Sequence, residues 1–482
     1  MRSRAITKVL GVIVALTATT KLPSLLYALA AGEATARIYA GSFALSALVG
    51  FLMYWPNRAV AYELRLRDGF LIVTLSWVSA CLASAMPLMY GPPYLSFTHA
   101  MFEVMSGLTT TGATVISGLD ALPRSVLLYR QVLQFLGGMG IVILAVAILP
   151  MLKVGGTQLF RAETTGPSRD SRLTPRIAET AKALWLVYAG LTLMCAGAFW
   201  VAGMGLFDAV CHALSTVSTG GFSTHDAAFD HWDSGLLDVI AIVFMGLGGV
   251  NFALHFTAWR NASFRGYFQD PELRAYVAIL AGAAALVTLV VWTQGSYPDL
   301  PAALRNGAFM TVSAMTTTGF TVAGFDAWPS IAPLVIMLVA IVGGCSGSTV
   351  GGLKVARVLM VLRQGVREVH QLVHPRGQFL VRMGGRRVPE GVVLSVSGFI
   401  TLWMACFVAL VLCMMLAGLD LVSAFGGTVA TMANLGPGLG TVTYGFGDVS
   451  DATVWLGTFG MLLGRLEVFS VLVLFTPMFW RE

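Results

Sequence analysis

Long apolar runs separated by short polar stretches dominate the chain. A helix needs about 20 consecutive apolar residues to cross a bilayer. Runs that approach or exceed this length lie near residues 9–31, 38–55, 69–90, 126–150, 183–205, 236–258, 275–294, 331–342 with a continuation past 353, 391–418 and 453–480. The pattern predicts an all-α polytopic membrane protein with about ten transmembrane (TM) spans.

Shorter apolar segments lie between some of these spans, near residues 95–108, 206–217, 302–316 and 421–433. At about 12 residues each, they are too short to cross the bilayer and suit half-helices that enter and return. Backbone that is not helical at membrane depth is tolerated only where protein or water satisfies it. These segments therefore predict the lining of a pathway through the membrane.

Composition agrees with a membrane location. Of the 482 residues, 56% are hydrophobic and 11% are charged, whereas a soluble domain carries about 25% charged residues. The six cysteines form no CxxC pair and the seven histidines show no HExxH spacing, so neither a zinc, a redox nor a metal-enzyme motif is predicted. Arg2, Arg4 and Lys8 precede an apolar run that has no clear cleavage site, which favours an uncleaved first span.

Charge is distributed unevenly between the two sides of the predicted spans. Threading the spans alternately puts most of the 30 Lys and Arg residues on one face, so the positive-inside rule places that face and both termini in the cytoplasm. This distribution explains the excess of basic residues without a nucleic-acid partner. The predicted outer face collects aspartates, which would concentrate cations at a pore mouth, although each could be an ordinary solvated loop carboxylate: Asp120, Asp226, Asp230, Asp233, Asp299, Asp326, Asp420, Asp448 and Asp451.

A fourfold repeat is the most informative feature of the sequence. The order of span, half-helix, Thr/Gly-rich stretch and span recurs, with stretches at 109–114, 217–222, 316–321 and 433–438. Second glycine-containing sites follow at Gly137-Gly138, Gly248-Gly249, Gly343-Gly344 and Gly464. We therefore predict two N-terminal TM helices at 1–66 and four TM–pore-loop–TM repeats at 67–160, 161–266, 267–388 and 389–482.

The repeated stretches suit the coordination of a dehydrated cation. Four extended Thr-Gly segments around a pseudo-fourfold pore would present rings of backbone carbonyl oxygens that replace the hydration shell of potassium. Glycine reaches positive φ without a steric penalty, and the C-terminal end of a half-helix carries partial negative charge that favours a cation. The predicted K⁺-binding residues are Thr111, Gly112, Thr219, Gly220, Thr318, Gly319, Leu435 and Gly436.

Two further features lie within apolar spans. Residues 343–352 contain five glycines, each of which costs about 1 kcal/mol in mid-helix relative to Ala, so a break is predicted there. A flexible kink or close helix packing is the alternative interpretation. Arg465 is the sole basic residue in the last span before its end, where an unpaired charge costs at least about 2.5 kcal/mol. A structural ion pair with Glu467 is the alternative for Arg465.

Together these motifs resemble the TrkH/KtrB/HKT superfamily of potassium transporters and, within it, the TrkH family. The resemblance covers essentially the whole chain and is carried by the Thr/Gly stretches, Arg130-Gln131, residues 134–140, residues 343–354, Gly464-Arg465-Leu466-Glu467 and residues 477–481. It implies potassium uptake across the bacterial inner membrane. Members with serine at the position of Gly112 tend to pass sodium, so the glycine in this chain favours potassium. In the fourth repeat, Asn434-Leu435-Gly436-Pro437 departs from the repeated motif and implies imperfect fourfold symmetry.

The resemblance also implies how the pathway is controlled. Residues 343–352 would form an intramembrane gating loop below the filter, and Arg465 an electrostatic barrier in contact with it. The implied gate residues are Gly343, Gly344, Cys345, Ser346, Gly347, Ser348, Thr349, Gly351, Gly352 and Arg465. The family is homodimeric and docks a TrkA-like cytoplasmic regulatory subunit that binds NAD or ATP. Because this chain has no GxGxxG-plus-strand unit, no organic cofactor of its own is expected.

Alternatives from other functional classes fit the sequence less well. A secondary transporter with substrate held at broken helices usually shows two inverted halves, whereas the four repeats run in one direction. A membrane-embedded enzyme would need a cluster of buried acids, bases or metal ligands. Glu103 and His212 lie in half-helices without partners evident from sequence. The choice between a channel and a proton or sodium symporter stays open at this stage.

Overall fold

The computed structural model describes residues 3–60, 66–140, 177–329 and 331–481. The predicted segment 141–150 of the fourth span lies outside the described residues, as does most of the polar stretch after it. Within the described ranges the chain is helical apart from loops and one small antiparallel hairpin, in which Arg382–Met383 pairs with Arg386–Arg387. The predicted all-α fold is therefore confirmed.

The first three helices precede the repeats. They span Ser3–Ala18, Leu22–Ala31 and Ala36–Tyr54. The first of them packs against the third and against the helix that opens the first repeat. Buried side chains from this group join one hydrophobic cluster with the first repeat and the last, so the N-terminal helices are integrated into the fold.

Each repeat is built from three helices, which we call, in chain order, the flanking helix, the half-helix and the return helix. The flanking helices are Leu66–Tyr90, Ile177–Val201, Pro271–Thr293 and Glu390–Leu416. The half-helices are Phe97–Leu108, Leu206–Val217, Leu300–Met315 and Leu421–Met432. The return helices are Arg124–Gly138, Gly235–Gly248, Ile331–Val342 and Asp451–Arg465. The remaining helices are Phe252–Asn261, Arg265–Gln269, Val355–Val373, Phe469–Leu472 and Pro477–Trp480.

Six helical segments are long and apolar enough to cross a membrane, and two bent pairs bring the number to eight among the described residues. The bent pairs are Gly235–Gly248 with Phe252–Asn261, at 96°, and Asp451–Arg465 with Phe469–Phe475, at 109°. The predicted runs 236–258 and 453–480 are thus not single straight helices. The run that starts at Ile331 is also interrupted, because its helix ends at Val342 and the next begins at Val355.

The second glycine of each repeat marks the end of a return helix. A β-carbon on Gly137 would overlap the carbonyl oxygen of Leu108, and one on Gly464 would overlap that of Met432. A β-carbon on Gly248 would likewise lie close to the half-helix end, 3.2 Å from the carbonyl oxygen of Val217. Since these three partners are the last residues of their half-helices, glycine permits the return helix to approach the half-helix end. The third repeat differs, because Gly343 lies against Gly351 in the break that follows.

Candidate ion pathway

The chain leaves each half-helix through the same unusual backbone conformation. Four residues have positive φ values of 46° to 56°, and four glycines two positions later have φ values of 79° to 101°. The first set is Thr110, Thr219, Thr317 and Asn434, and the second is Gly112, Gly221, Gly319 and Gly436. Positive φ is rare for a β-branched residue such as threonine. Such strain, about 1–3 kcal/mol per residue, persists only where the surroundings enforce it.

This backbone pattern corrects the alignment of the second repeat. Gly221, not Gly220, occupies the position of Gly112. Hydrogen bonds support the shift, because the amide of Thr111 donates to Ser106 at 2.9 Å and the amide of Gly220 donates to Ser215 at 2.8 Å. The predicted equivalence of Thr219-Gly220 with Thr111-Gly112 is therefore wrong by one residue. Two consecutive glycines follow Thr219, and spacing along the chain could not choose between them.

The four stretches close into a ring around a pseudo-fourfold axis. We call them the candidate filter, comprising residues 109–113, 218–222, 316–320 and 433–437. A β-carbon on each positive-φ glycine would overlap or press on a carbonyl oxygen of the next repeat. The glycine and carbonyl pairs are Gly112 with Gly220, Gly221 with Thr318, Gly319 with Leu435, and Gly436 with Thr111. The same backbone carbonyl of all four repeats thus borders the ring.

The predicted K⁺-binding residues are brought together by this closure. Thr111, Thr318 and Leu435 supply ring carbonyls, and Gly112, Gly319 and Gly436 are the glycines packed against them. In the second repeat Gly220 supplies the carbonyl and Gly221 is the packed glycine, so Gly221 belongs to the ring although it is not among the predicted K⁺-binding residues. Thr219 is equivalent to Thr110 and not to Thr111, so it lies one position closer to its half-helix than predicted.

Side chains from the first return helix brace the candidate filter of the second repeat. Gln134 donates from Nε2 to the carbonyl of Gly220 at 2.5 Å, and its Oε1 accepts from the amide of Phe222 at 3.1 Å and from the hydroxyl of Ser215 at 2.8 Å. Gln131 donates to the carbonyl of Phe222 at 2.9 Å. A buried glutamine that satisfies three backbone and side-chain groups fixes their positions, because any alternative would leave them unpaired.

A buried ion pair supports the first repeat. Nε of Arg130 lies 2.8 Å from Oε1 of Glu103, and both side chains are almost wholly buried. Glu103 also accepts from Thr114 and from the amide of Val115, each at 3.0 Å. These bonds satisfy the carboxylate and hold the chain just after Gly112. Since a buried charge without a partner is strongly destabilising, the pair makes this position intolerant of change at either residue.

His212 in the second half-helix likewise has partners. One ring nitrogen lies 2.9 Å from the carbonyl oxygen of Asp208, and the other lies 3.1 Å from the hydroxyl of Ser223. Ser223 follows the candidate filter, so the imidazole links the half-helix to the chain that leaves the ring. Both His212 and Glu103 therefore stabilise the loops rather than forming a separate polar cluster with each other.

The break at 343–352 lies against the candidate filter on one side. The hydroxyl of Thr349 lies 3.1 Å from that of Thr219, and the amide of Gly351 donates to the hydroxyl of Thr317 at 2.8 Å. The amide of Gly352 donates to the carbonyl of Ala433 at 3.1 Å. Three repeats thus contact the loop directly, through the residues at or beside the strained positions.

Further bonds hold the rest of this loop in a compact form. The amide of Cys345 donates to Gly249 at 2.9 Å, and Gly347 accepts from the amide of Phe252 at 3.0 Å. The hydroxyl of Ser348 donates to the carbonyl of Cys345 at 2.6 Å. Gly343, Gly347 and Gly352 have φ values of 70° to 74°, and Gly344 accepts from Val355 at 3.0 Å. The predicted break is therefore an ordered non-helical segment that docks against the bend of the second repeat.

Glu272 anchors the loop from the third flanking helix. Its Oε1 accepts from the amide of Ser346 at 2.6 Å and from the amide of Ala356 at 3.1 Å. The carboxylate thus joins the loop to the start of the helix that follows it. The sequence alone does not single out Glu272, because an acid in the first turn of a helix is ordinarily explained by the helix dipole.

Arg465 connects the loop to the first repeat. It donates to the carbonyl of Thr349 at 3.0 Å and to the hydroxyl of Thr110 at 3.3 Å. Its other terminal nitrogen donates to the carbonyls of Gly137 and Gly138 at 2.6 and 3.2 Å, at the C-terminal end of the first return helix. Glu467 accepts from Arg357 at 2.6 Å. The loop and Arg465 together reach the strained residue of every repeat except the fourth, where Ala433 is the contact.

The arrangement presents two chemical environments in sequence along one axis. A ring of neutral carbonyl oxygens suits a dehydrated monovalent cation, because weak-field ligands replace water without trapping the ion. A guanidinium and a bonded loop stand on one side of that ring. A cation that left the ring on this side would meet both a positive charge and a steric obstacle.

Comparison with known proteins identifies relatives over the whole length of the chain. Residues 35–482 match the TrkH family model, described as a cation transport protein. The chain is 47% identical to the Trk system potassium uptake protein TrkH of Halomonas elongata, and the match covers 100% of both chains. It is 44% identical to TrkH of Escherichia coli K12 over the same coverage, and 36% identical to TrkG of that organism, covering 99% of both.

A solved structure gives the same result. The crystal structure of the potassium transporter TrkH from Vibrio parahaemolyticus superposes with a TM-score of 0.91 at 44% sequence identity, covering 100% of both chains. The chain therefore belongs to the TrkH family of cation transport proteins. It is a multi-pass membrane transporter and not an enzyme, which excludes the hypothesis of a membrane-embedded enzyme.

Proposed function

We propose that this member of the TrkH family takes up potassium across the bacterial inner membrane through the candidate filter. The observation that carries the proposal is the closed ring, in which each positive-φ glycine packs against a carbonyl of the next repeat. Such a ring offers neutral oxygens to an ion whose dehydration cost is modest. The named activity of the relatives in Halomonas elongata and Escherichia coli supports the same ion.

The proposed units of the pathway are those of the repeat pattern. Two N-terminal TM spans at 1–66, of which the first contains the helices Ser3–Ala18 and Leu22–Ala31, precede four pore repeats at 67–160, 161–266, 267–388 and 389–482. Each repeat contributes one flanking helix, one half-helix and one return helix, of which the described parts pack together in chain order. The boundary between the first two repeats falls outside the described residues.

Residues 343–352 and Arg465 form the proposed gate. The support is their position, because the loop bonds to the candidate filter of the second, third and fourth repeats, and Arg465 bonds to the loop and to the first repeat. These contacts would hold the obstacle closed, and an ion passes inward when they break. Opening costs the contacts that Glu272 and Arg465 make with the loop, so anything that pulls on the adjoining helix Val355–Val373 would bias the gate.

A regulatory partner and a second copy complete the proposal. Both termini face the cytoplasm in the proposed orientation, as does helix Val355–Val373. This helix carries exposed apolar side chains between basic ones: Leu362, Val366, Val369, Leu372 and Val373. A stripe of this kind is typical of a protein contact. We propose that this face docks a TrkA-like NAD- or ATP-binding subunit, and that the chain works as a homodimer in the bilayer.

Rubidium uptake into proteoliposomes tests the transport proposal. Purified protein is reconstituted and uptake of rubidium is measured with potassium or sodium as competitor. Potassium is expected to compete far better than sodium. Equal competition would contradict potassium selectivity while leaving the pathway intact. If no uptake occurs even after a TrkA-like subunit and its nucleotide are added, the proposed function is wrong.

A further inference from the structure

A cluster of metal-ligand side chains lies on the predicted outer face, apart from the candidate filter. Asp120, His225 and His231 each place one ligand atom within 4.8 Å of the others. The imidazoles of His225 and His231 stack with their centroids 3.6 Å apart and their planes 6° apart. Nδ1 of His225 bonds to the carboxylate of Asp120. Two imidazoles and one carboxylate are a donor set that zinc and similar ions bind.

The cluster joins loops from two repeats. Asp120 lies in the short helical turn Leu119–Ala121, after the candidate filter of the first repeat, and His231 lies in the turn Ala228–Trp232 of the second. The amide of Gly118 donates to the carboxylate of Asp226 at 3.0 Å. This bond crosses between the same two loops, so the loops that carry the three side chains are held together without a metal.

A second carboxylate stands behind His225. Oδ1 of Asp208 lies 3.7 Å from Nε2 of His225, and the hydroxyl of Thr224 donates to that same oxygen at 2.7 Å. A histidine that ligates a metal usually directs its other ring nitrogen toward a carboxylate or carbonyl, which sets the ring orientation and tautomer. This arrangement leaves Nδ1 of His225, on the side of Asp120, as the ligand atom.

We propose that Asp120, His225 and His231 bind one divalent transition-metal ion of the zinc class. The ion would take one nitrogen from each histidine and one oxygen from Asp120, with water completing a tetrahedral shell. Because an imidazole nitrogen binds a metal in the plane of its ring, the two stacked rings would tilt apart as they bind the ion. The ion would replace the hydrogen bond between His225 and Asp120. Potassium, magnesium and calcium prefer oxygen ligands and bind imidazole nitrogen poorly. The site is therefore chemically distinct from the candidate filter, and it stands whether or not the proposed function is correct.

Metal binding to the intact protein tests this proposal. Protein purified without a polyhistidine tag is titrated with Co²⁺, whose visible absorption reports tetrahedral nitrogen and oxygen coordination, and with Zn²⁺ by calorimetry. One ion per chain is expected. His231→Ala and Asp120→Asn should each weaken binding at least about 10-fold, since even indirect changes around a metal cost 10- to 100-fold. His231 is exposed, so its replacement leaves the fold intact, which a thermal transition verifies.

His99 provides a matched control on the same face. Its Nε2 lies 3.9 Å from the carboxylate of Asp451, and no third ligand joins this pair among the described residues. His99→Ala should leave the affinity unchanged. Equal affinity in wild type and His231→Ala, or an equal loss in His99→Ala, would overturn the proposal. So would the absence of saturable binding to the wild-type protein.

Discussion

Arg465 donates a hydrogen bond to the carbonyl oxygen of Thr349 at 3.0 Å, which joins residues that are 116 positions apart in the chain. Thr349 in turn contacts Thr219 and the carbonyls of Val217 and Gly248 through its hydroxyl. One residue of the loop thus bridges the last return helix and the second repeat. The proposed gate is held by a small number of specific bonds, which makes it open to test.

Replacing Arg465 with glutamine should raise ion flux. The change removes a positive charge beside the pathway and weakens the charge-assisted bonds to Thr349 and Thr110, each worth about 1.5–3 kcal/mol. Loss of about 1.4 kcal/mol would raise the open population about 10-fold. Rubidium uptake into proteoliposomes measures the effect. Arg465→Lys keeps the charge, so its flux should lie between that of the wild type and that of Arg465→Gln. Replacement of the exposed Arg382 by glutamine serves as a control. Unchanged flux in Arg465→Gln would exclude a gating role.

Shortening the loop by deleting residues 346–348 should also raise flux. The deletion removes the amide of Ser346 that Glu272 binds and the turn that Gly347 makes toward Phe252. Because a deletion can disturb folding, Thr349→Ala provides a milder variant that removes only the hydroxyl bonds. Uptake is measured as before, with a thermal transition for each variant. If both variants fold and their flux equals that of the wild type, the loop is not the barrier.

Replacing Gly112 with serine should lower the preference for potassium over sodium. The new side chain would overlap the carbonyl oxygen of Gly220 and displace it from the ring. Competition of sodium against rubidium uptake gives the selectivity. Gly118→Ser is the matched control, because Gly118 has a similar φ of +75° but open space around its β-carbon position. A Gly112→Ser protein with wild-type selectivity would count against the filter assignment.

The corrected register of the second repeat makes a separate prediction. Gly221→Ala should reduce selectivity more than Gly220→Ala, since Gly221 has a φ of +81° and faces the backbone carbonyl of Thr318. Gly220 has no positive φ, and the three atoms nearest to its β-carbon would all belong to the side chain of Gln134, so Gly220→Ala disturbs the ring only indirectly, through the hydrogen bonds of Gln134. The same competition assay compares the two variants. The opposite order of effects would restore Gly220 as the equivalent of Gly112.

Gln134→Leu should reduce selectivity by loosening the second repeat. The substitution leaves the carbonyl of Gly220, the amide of Phe222 and the hydroxyl of Ser215 without their partner. A buried polar group that loses its partner costs about 1–3 kcal/mol, so we expect the backbone of the second repeat to shift until these three groups form other hydrogen bonds. Gln294→Leu makes the same exchange at an exposed helix end. Sodium competition that stays at the wild-type level in Gln134→Leu would show that the brace is not needed.

Much of the architecture follows from local properties of the sequence. Hydrophobic length and the short half-helices predict the membrane fold, and the recurring Thr-Gly stretch predicts four equivalent loops. The glycine content of 343–352 predicts the break after Val342 that the structure contains. These features depend on residues close together in the chain, where helix propensity and the cost of burying backbone in lipid act directly.

Tertiary structure decided the features that depend on distant residues. Gln134 meets Gly220 across 86 positions and Asp120 meets His225 across 105, so no local pattern could pair them. The choice of Gly221 over Gly220 depends on which glycine faces Thr318 when the ring closes. The sequence by itself determined which segments are long and apolar enough to cross or enter a membrane, because burial in lipid is a local requirement. The packing of the four repeats alone determined which side chains hold the ring, the loop and the outer histidines together.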